Sequence, residues 1–330
     1  MKLPYRRSWT KVGAPTDLSI VAGMRGGALE VEVVGTRRAS GDRGTLLAAY
    51  VNLMKPHVTV LLLGVTLAAM VIARGGSLPA LGLIVATLLG GALAAGSANC
   101  INCYLDRDID LLMGRTRRRT LPSGRIRPRQ ALLFGIVLGV ASFVILTIFV
   151  NLLSALLAGS AILFYVLVYT MWLKRTTPQN IVIGGAAGAV PVLVGWAAVT
   201  NSLSLTAILL FAIIFFWTPP HFWALSLLIH KDYARARVPM LPVVRGRRET
   251  RRQIGLYTLL LVGITLLPWL LRGLGNLYLV GALLLNAILV YMALRLLLDR
   301  TKRRARTLFW YSNCYLALLF AAMVLDRVLR

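Results

Sequence analysis

The sequence predicts an all-α fold, a polytopic membrane bundle of about nine transmembrane helices. Of the 330 residues, 58% are hydrophobic and only 15% are charged, and the mean hydropathy is +0.75. Apolar runs of about 20 residues, the length of a membrane-spanning helix, recur along most of the chain. The runs show no period-two alternation, so helices rather than barrel strands are the predicted spanning elements.

Nine predicted spans follow one another along the chain. They cover residues 56–73, 78–104, 130–150, 153–173, 180–200, 204–229, 253–271, 277–297 and 308–329. The preceding residues contain only short apolar pieces and lack the apolar core of a signal peptide. We therefore predict a disordered cytoplasmic extension over 1–45 and an intramembrane domain over 46–330. Gly184, Gly185 and Gly188 predict a face for close helix packing.

The net charge of +26 comes from 37 lysines and arginines against 11 acids. A soluble protein with this balance would suggest a nucleic-acid partner, whereas in a membrane protein basic loops set the topology. With nine spans, 33 of the 37 basic residues fall on one side. This predicts a protein of the cell membrane with a cytoplasmic N-terminus, an outer C-terminus and no nucleic-acid partner. Attraction to anionic lipid or substrate is an additional use of the charge.

Carboxylates are scarce, which makes those after the second span informative. Residues 43–105 contain no acid, and Asp106, Asp108 and Asp110 then follow. On a helix, Asn102, Asp106 and Asp110 recur every fourth residue and share one stripe, whereas Asp108 falls on roughly the opposite side. Mg²⁺ prefers oxygen ligands and is usually held by carboxylates together with substrate phosphate oxygens. The stripe therefore predicts a Mg²⁺ site at the membrane edge, which Asp232 from the second long polar loop could complete.

The same residues also fit a structural interpretation. Asp106 and Asp110 could pair with arginines at the end of their helix, and Arg117 to Arg119 could act only as a positive-inside anchor. Cys100 and Cys103 match a redox or metal spacing, but they lie in an apolar helix without a second pair. We predict that these two thiols are buried and unreactive.

The sixth span contains an unusual stretch, Trp217-Thr-Pro-Pro-His-Phe-Trp223. Two prolines interrupt the regular backbone, and His221 places a titratable ring in apolar surroundings. His221 is either a hydrogen-bonded structural residue or a contact to a substrate or cofactor. The neighbouring aromatic rings either pack the core or line the pocket of a flat ligand.

Several long motifs now resemble one known superfamily. They are Asn102-Cys-Tyr-Leu-Asp-Arg-Asp-Ile-Asp110 with Met113 and Arg115-Thr116, Lys174-Arg-Thr-Thr-Pro-Gln-Asn-Ile-Val-Ile-Gly-Gly185, the Trp217 to Trp223 stretch, Lys231-Asp-Tyr233 and Val238-Pro-Met-Leu-Pro-Val-Val244. In this order they resemble the intramembrane aromatic prenyltransferase (UbiA-type) superfamily, and within it the protohaem IX farnesyltransferase branch. The resemblance spans about residues 50–329 and leaves out the N-terminal extension.

The resemblance implies nine transmembrane helices around a central cavity and a Mg²⁺-dependent reaction. The implied substrates are farnesyl diphosphate and haem B, and the products are haem O and diphosphate. The implied catalytic and metal-binding residues are Asn102, Asp106, Asp110 and Asp232. The implied substrate-binding residues are Lys55, Arg107, Arg115, Arg117, Arg118, Lys231, Tyr233 and, against the porphyrin or its iron, His221. A haem A synthase or terminal-oxidase assembly factors are implied as partners by analogy.

Two departures from the superfamily reduce the number of metal-ligand carboxylates. Cys103 follows the Asn of the first motif where an Asp is frequent, and Ala236 stands four residues after Asp232 where a second Asp is frequent. This favours a one-metal site supported by Lys and Arg. A related prenyltransferase with a quinone precursor or another aromatic acceptor is the alternative. A transporter is disfavoured, because nearly all charges lie at the membrane edge rather than deep in the helices.

Overall fold

The computed structural model describes residues 10–12, 18–25, 28–35 and 43–330, in two units, Met1–Leu47 and Ala48–Arg330. In the first unit, strands β1 (Thr10–Val12), β2 (Leu18–Arg25) and β3 (Ala28–Gly35) form an antiparallel sheet in the order β1-β2-β3. We did not predict these strands. The signal was present in β3, where Val and Glu alternate with the period of a strand. The prediction of disorder over 1–45 also concerns residues 1–9, 13–17, 26–27 and 36–42, which lie outside the described residues, and the division at residue 45 stays a prediction.

The second unit is helical throughout its regular elements. In chain order the helices are α1 (Arg43–Met54), α2 (Pro56–Ala73), α3 (Leu81–Leu105), α4 (Arg107–Leu112), α5 (Pro128–Phe149), α6 (Leu152–Leu163), α7 (Lys174–Thr176), α8 (Asn180–Thr200), α9 (Leu205–Leu228), α10 (His230–Arg235), α11 (Leu241–Val244), α12 (Gly246–Leu270), α13 (Asn276–Leu298) and α14 (Lys302–Val328). A π-helical segment, Phe164–Leu173, joins α6 to α7.

Within the described part of the chain, nine helices are long and apolar enough to cross a membrane, which confirms the predicted number and the multi-pass membrane fold. The nine are α2, α3, α5, the continuous Leu152–Thr176 helix, α8, α9, α12, α13 and α14. The predicted bounds are too short at α12 and α14, which begin at Gly246 and Lys302. Their first turns are rich in arginine, so these helices continue beyond the apolar segment that hydropathy detects.

The inner helices of the bundle are α8 and α9. α8 packs against α2, α6 and α9, and α9 also packs against α12 and α14. The last span returns to the first, because α14 packs against α2. In the apolar stretch of α8, 67% of the residues are buried, against 22% in that of α5, so α5 turns much of its surface outward. The predicted central cavity stays a prediction.

The small-residue face of α8 is confirmed at two of its three predicted positions. A Cβ atom added to Gly184 would lie 2.3 Å from a ring carbon of Tyr169, and one added to Gly185 would lie 3.1 Å from Thr218. Gly188 is different, since an added Cβ would meet nothing within 4 Å. Within α8, the glycine that packs most tightly against backbone is Gly195, where an added Cβ would lie 2.3 Å from the carbonyl oxygen of Thr66 in α2.

We expect Gly195→Ala to destabilise the protein and Gly188→Ala to leave it unchanged or slightly more stable. The first change forces α2 and α8 apart, and overpacking of this kind costs about 1–3 kcal/mol. The second adds a better helix former in open space. The measurement is the temperature at which half of the purified protein in detergent loses its monodisperse elution peak. Equal temperatures for the two variants would contradict the close approach of α2 and α8.

Candidate active site

The Asn/Asp stripe lies where α3 passes into α4. α3 ends at Leu105 and α4 begins at Arg107, but hydrogen bonds of the helical pattern continue from Asp106 N to Asn102 O (2.9 Å) and from Asp110 N to Asp106 O (2.8 Å). Because this pattern persists across the junction, the three side chains stay on one side, as predicted. All three are buried, with no more than 5% of each residue exposed.

The Asp106 carboxylate is the hub of the stripe. Its Oδ2 accepts hydrogen bonds from Asn102 Nδ2 at 2.7 Å and from the ammonium group of Lys174. Asn102 Nδ2 also donates to Thr170 Oγ1 at 3.1 Å, a hydroxyl that the π-helical segment presents. Asp106 Oδ1 is buried and has no hydrogen-bond partner among the described residues, and Arg175 Nη2 lies 3.8 Å from it. One oxygen of the buried carboxylate is therefore left for a further ligand.

Asp110 is held by the basic loop that follows it. Arg119 Nη1 donates to both carboxylate oxygens of Asp110, at 3.3 and 3.2 Å, and Thr116 Oγ1 donates to the Asp110 carbonyl at 2.9 Å. The loop is thus folded back onto the stripe, and Arg119 is half-buried while Arg117 and Arg118 are exposed.

Lys55 reaches the same place from the start of α2. Its ammonium lies 3.4 Å from Asn102 Oδ1 and 3.3 Å from Asn99 Oδ1. Lys55 adopts a left-handed backbone (φ 54°) before Pro56, which turns the chain into α2. Burial lowers the pKa of Lys55, and the positive charges of Arg119 and Lys174 lower it further. Lys174 and Arg119 thus bind the two carboxylates of the stripe and Lys55 binds its amide, which gives a basic site suited to a polyanion.

Asp108 lies off the stripe, as predicted, and pairs with an arginine. Arg175 donates from Nη1 and Nη2 to the two carboxylate oxygens of Asp108, both at 2.8 Å, and from Nη2 to the carbonyl of Leu105 at 2.9 Å. This hydrogen bonding lowers the pKa of Asp108 to about 2. The side chain is 60% exposed, so Asp108 anchors α7 to α4 at the surface rather than entering the buried site.

Asp232 lies apart from the stripe, although its loop touches the loop after α4. A Cβ atom added to Gly114 would lie 3.7 Å from Asp232 Oδ1, and the recorded ion pair of Asp232 is with Arg235 at 3.7 Å. Across the described ranges, no group of three or more His, Cys, Asp or Glu side chains could hold one metal ion. The predicted ligand set of Asn102, Asp106, Asp110 and Asp232 therefore stays a prediction. Asp106 and Asp110 take cationic partners, because an unpaired buried charge is costly.

Most of the predicted substrate-binding cations are exposed. This group comprises Arg107, Arg115, Arg117, Arg118 and Lys231. Arg107 folds back on the end of α3, where it donates to the Tyr104 carbonyl at 2.7 Å and lies 4.5 Å above the Tyr104 ring. Tyr233 is buried instead, and burial raises its pKa to about 12. Their contact with substrate stays a prediction.

Sequence reasoning assigned no role to Lys174 and Arg175, although both bind carboxylates of the site. The sequence did contain one indication of such a role. The loop between the fourth and fifth spans is short, and Lys174 and Arg175 are its only two basic residues. The sequence did not show how the Leu152–Thr176 helix lies relative to α3, and this arrangement brings Lys174 and Arg175 to the carboxylates.

His221 is enclosed by aromatic rings in the interior of the bundle. Its ring stacks on Trp217 at 4.4 Å and on Phe309 at 4.7 Å between centroids. Nδ1 lies 2.7 Å from Ser312 Oγ, and that hydroxyl donates to the Phe309 carbonyl at 2.7 Å. Since the hydroxyl has one proton, Nδ1 of His221 is the donor, and Nε2 keeps its lone pair. The geometry accounts for a structural role and leaves one ring nitrogen available.

The donor set at Asp106 fits a hard divalent cation. It offers carboxylate and amide oxygens, including the buried Oδ1 without a hydrogen-bond partner, and oxygen is the ligand type that Mg²⁺ prefers. Lys55, Arg119 and Lys174 add the positive charge that phosphate oxygens would require. The fit concerns the chemistry of the donors around Asp106 and does not extend to Asp232.

Sequence comparison identifies relatives over most of the chain. The model of the "UbiA prenyltransferase family" matches residues 62–320. A protein named protoheme IX farnesyltransferase from Roseiflexus sp. (strain RS-1) is 56% identical over 284 residues, which are 86% of this chain and 53% of that protein. One of the same name from Gloeobacter violaceus (strain ATCC 29082 / PCC 7421) is 57% identical over 280 residues, 84% of this chain and 92% of that protein. The chain thus spans about half the length of the first relative and nearly all of the second.

Solved structures agree with the fold. A structure described as digeranylgeranylglyceryl phosphate synthase has a TM-score of 0.71 at 19% identity and covers 87% of this chain and 100% of that one. A UbiA homologue from Archaeoglobus fulgidus, bound to GPP and Mg²⁺, has a TM-score of 0.60 at 17% identity and covers 83% and 99%. With the family match extending over 62–320 and the same helical fold, this chain belongs to the UbiA prenyltransferase family.

Proposed function

We propose that this protein transfers the farnesyl group of farnesyl diphosphate to a vinyl group of haem B, with addition of water, to give haem O and diphosphate. The observation that carries the proposal is the Asp106 hub, a buried carboxylate at a helix end with one oxygen that accepts no hydrogen bond from the described residues and with three basic side chains around the stripe. The name shared by the Roseiflexus and Gloeobacter relatives supports the choice of substrates.

On the donor side, Asn102, Asp106 and Asp110 would hold Mg²⁺, the proposed cofactor, with Asp232 as a further candidate from the second loop. When bound, Mg²⁺ would screen the negative charge of the diphosphate as it leaves. Lys55, Arg119 and Lys174 each contact a side chain of the stripe and are placed to bind phosphate oxygens and stabilise the same charge. The more exposed cations, such as Arg115 and Lys231, would draw the diphosphate toward this site.

The bond changes balance with one water molecule. The allylic C–O bond of the donor breaks, its electron pair stays on diphosphate, and a carbocation-like allylic group remains. The π electrons of the haem vinyl form the new carbon–carbon bond. Water then adds to the other vinyl carbon and releases one proton, which gives a hydroxyethylfarnesyl side chain. The surrounding apolar helices would exclude other water molecules from the allylic cation.

On the acceptor side, we place the porphyrin against the aromatic group around His221. Trp217 and Phe309 stack on that ring, and Phe222 contacts its edge at 5.6 Å. Flat aromatic faces and a ring nitrogen with a lone pair suit a porphyrin or its iron. The core-packing interpretation of His221 predicts a loss of stability in His221→Ala without a selective loss of haem affinity.

The proposed location is the cell membrane, with the N-terminus and the loops of the site on the cytoplasmic face and the C-terminus outside. The one-sided distribution of the basic residues supports this orientation. A soluble diphosphate head could then reach Asp106 from the cytoplasm while its farnesyl chain lies in the lipid bilayer. A haem A synthase or oxidase assembly factors are proposed partners by analogy alone.

The test is product analysis by mass spectrometry. Purified protein is incubated with haem B, farnesyl diphosphate and Mg²⁺, and with haem B alone as the control. We expect a haem product heavier by one farnesyl group plus one hydroxyl group. An unchanged haem, together with prenylation of a quinone precursor offered in parallel, would overturn the haem assignment in favour of the alternative acceptor.

A further inference from the structure

A small cleft opens between α4 and the turn that follows α10. Its volume is about 210 Å³, and its lining includes Asp108, Leu112, Arg175, Arg237 and Val238. The cleft therefore brings the loops after the second and sixth spans together, with the end of the Leu152–Thr176 helix at its side.

Arg237 occupies a backbone position that usually belongs to glycine. Its φ is 55°, in the left-handed region, where an L side chain is strained. The turn is closed by hydrogen bonds from Arg237 N to Ala234 O (3.1 Å) and from Val238 N to Tyr233 O (3.0 Å), the pattern that ends helices at a glycine. Glycine would make this turn at lower cost, so the arginine side chain has a use beyond the turn.

Among the described residues that line the cleft, Arg237 is the cation that no carboxylate neutralises. Asp108 is neutralised by the two hydrogen bonds from Arg175. Asp232, the acid nearest to Arg237 in sequence, pairs with Arg235 at 3.7 Å. Arg237 itself is exposed and forms no ion pair with any residue that the structure describes. The cleft consequently favours an anionic group.

The other walls are apolar, and the cleft adjoins the buried carboxylate. Ile109 and Val238 are buried behind it, whereas Leu112 is 51% exposed at its side. Arg175 lies between the cleft and the buried carboxylate, since it binds Asp108 at 2.8 Å and lies 3.8 Å from Asp106 Oδ1. A ligand that fits would join an anionic group to an apolar body and reach from this cleft toward Asp106.

We propose that Arg237 binds a propionate carboxylate of the haem acceptor in this cleft and thereby selects the acceptor. The inference rests on the proposed function for the identity of the ligand. A porphyrin with propionates combines an apolar macrocycle with carboxylates along one edge, and a charged edge stays at the membrane surface because charge is costly in the bilayer. The guanidinium of Arg237 can bind such a carboxylate through two parallel hydrogen bonds.

The experiment compares haem B with its dimethyl ester, in which the propionate charges are removed. Binding is followed by titration of the haem absorbance band, and turnover is measured separately with each acceptor. The variants are Arg237→Gln, Arg237→Lys and Arg237→Gly, the last of which also relieves the backbone strain. Arg303→Gln, an exposed arginine at the start of α14, is the matched control.

We expect Arg237→Gln and Arg237→Gly to weaken binding of haem B and raise its KM about tenfold, the range of one charge-assisted hydrogen bond. Binding of the ester, kcat and the KM for farnesyl diphosphate should change little, Arg237→Lys should recover part of the loss, and Arg303→Gln should match the wild type. Equal losses for haem B and its ester, or a rise confined to the KM for farnesyl diphosphate, would overturn the proposal. Arg237-dependent haem binding without any farnesylation would instead overturn the proposed function and leave this inference standing.

Discussion

Asp106→Asn is expected to lower prenyl-transfer activity by about a hundredfold or more, the effect typical of removing a group that stabilises developing charge. The substitution preserves shape but removes the charge that Lys174 pairs with and the oxygen that we assign to Mg²⁺. Membrane insertion should be retained, because Asn102 Nδ2 can still donate to the amide oxygen at position 106 and to Thr170 Oγ1. The measurement is the initial rate of haem product formation, together with the yield of protein from detergent-solubilised membranes.

Asp108→Asn is the matched control for this prediction. The residue lies two positions away and has the same chemistry, but its side chain is 60% exposed and binds Arg175 at the surface. We expect less than about a tenfold loss, since an exposed ion pair contributes little. Equal losses in the two variants would contradict the division between the buried stripe and the surface carboxylate. Full activity of Asp106→Asn would refute the role of the hub.

Lys174→Met is expected to lower kcat/KM for farnesyl diphosphate by about ten- to a hundredfold, as the loss of a charge-assisted contact to phosphate does. The side chain of Lys174 is 14% exposed and its ammonium binds Asp106, so its removal also leaves that carboxylate with fewer partners. Lys174→Arg should retain more activity, because it keeps the charge. Lys302→Met, an exposed lysine at the start of α14, should behave as the wild type.

The double variant Asp106→Asn/Lys174→Met tests whether the two residues act as one unit. If they do, its rate should be close to that of Asp106→Asn alone, since the contribution of Lys174 to the rate is already lost when Asp106 is changed. A loss of rate in the double variant equal to the product of the two single losses would show that Lys174 acts independently of Asp106. That result would contradict the shared site.

The membrane fold was predictable because its strongest constraint is local. Each span must satisfy its own backbone hydrogen bonds in lipid, so the nine apolar runs specify nine helices without reference to one another. The bounds of α12 and α14 were less predictable, since their first turns are rich in arginine and hydropathy does not detect them. Gly188 illustrates a further limit, because a small residue permits close packing but does not show which helix, if any, approaches it.

The candidate site was predictable in part for the same reason. Helical periodicity places Asn102, Asp106 and Asp110 on one stripe and Asp108 off it, and the structure has this arrangement. The partners of those carboxylates lie far away in sequence. Lys174 is 68 residues from Asp106, and no periodicity within one helix could connect them.

By itself, the sequence determined the membrane class, the number of spans, the acidic stripe and the resemblance that led to the family. These are properties of short segments and of their composition. Only the tertiary structure decided that Lys174 and Arg119 rather than the more exposed arginines hold the carboxylates, that Asp232 lies apart, and that Arg237 faces a cleft beside Asp108. The physical reason is that a buried charge is costly unless an opposite charge lies near it. The packing of the whole helix bundle determines which opposite charge lies near enough to pair.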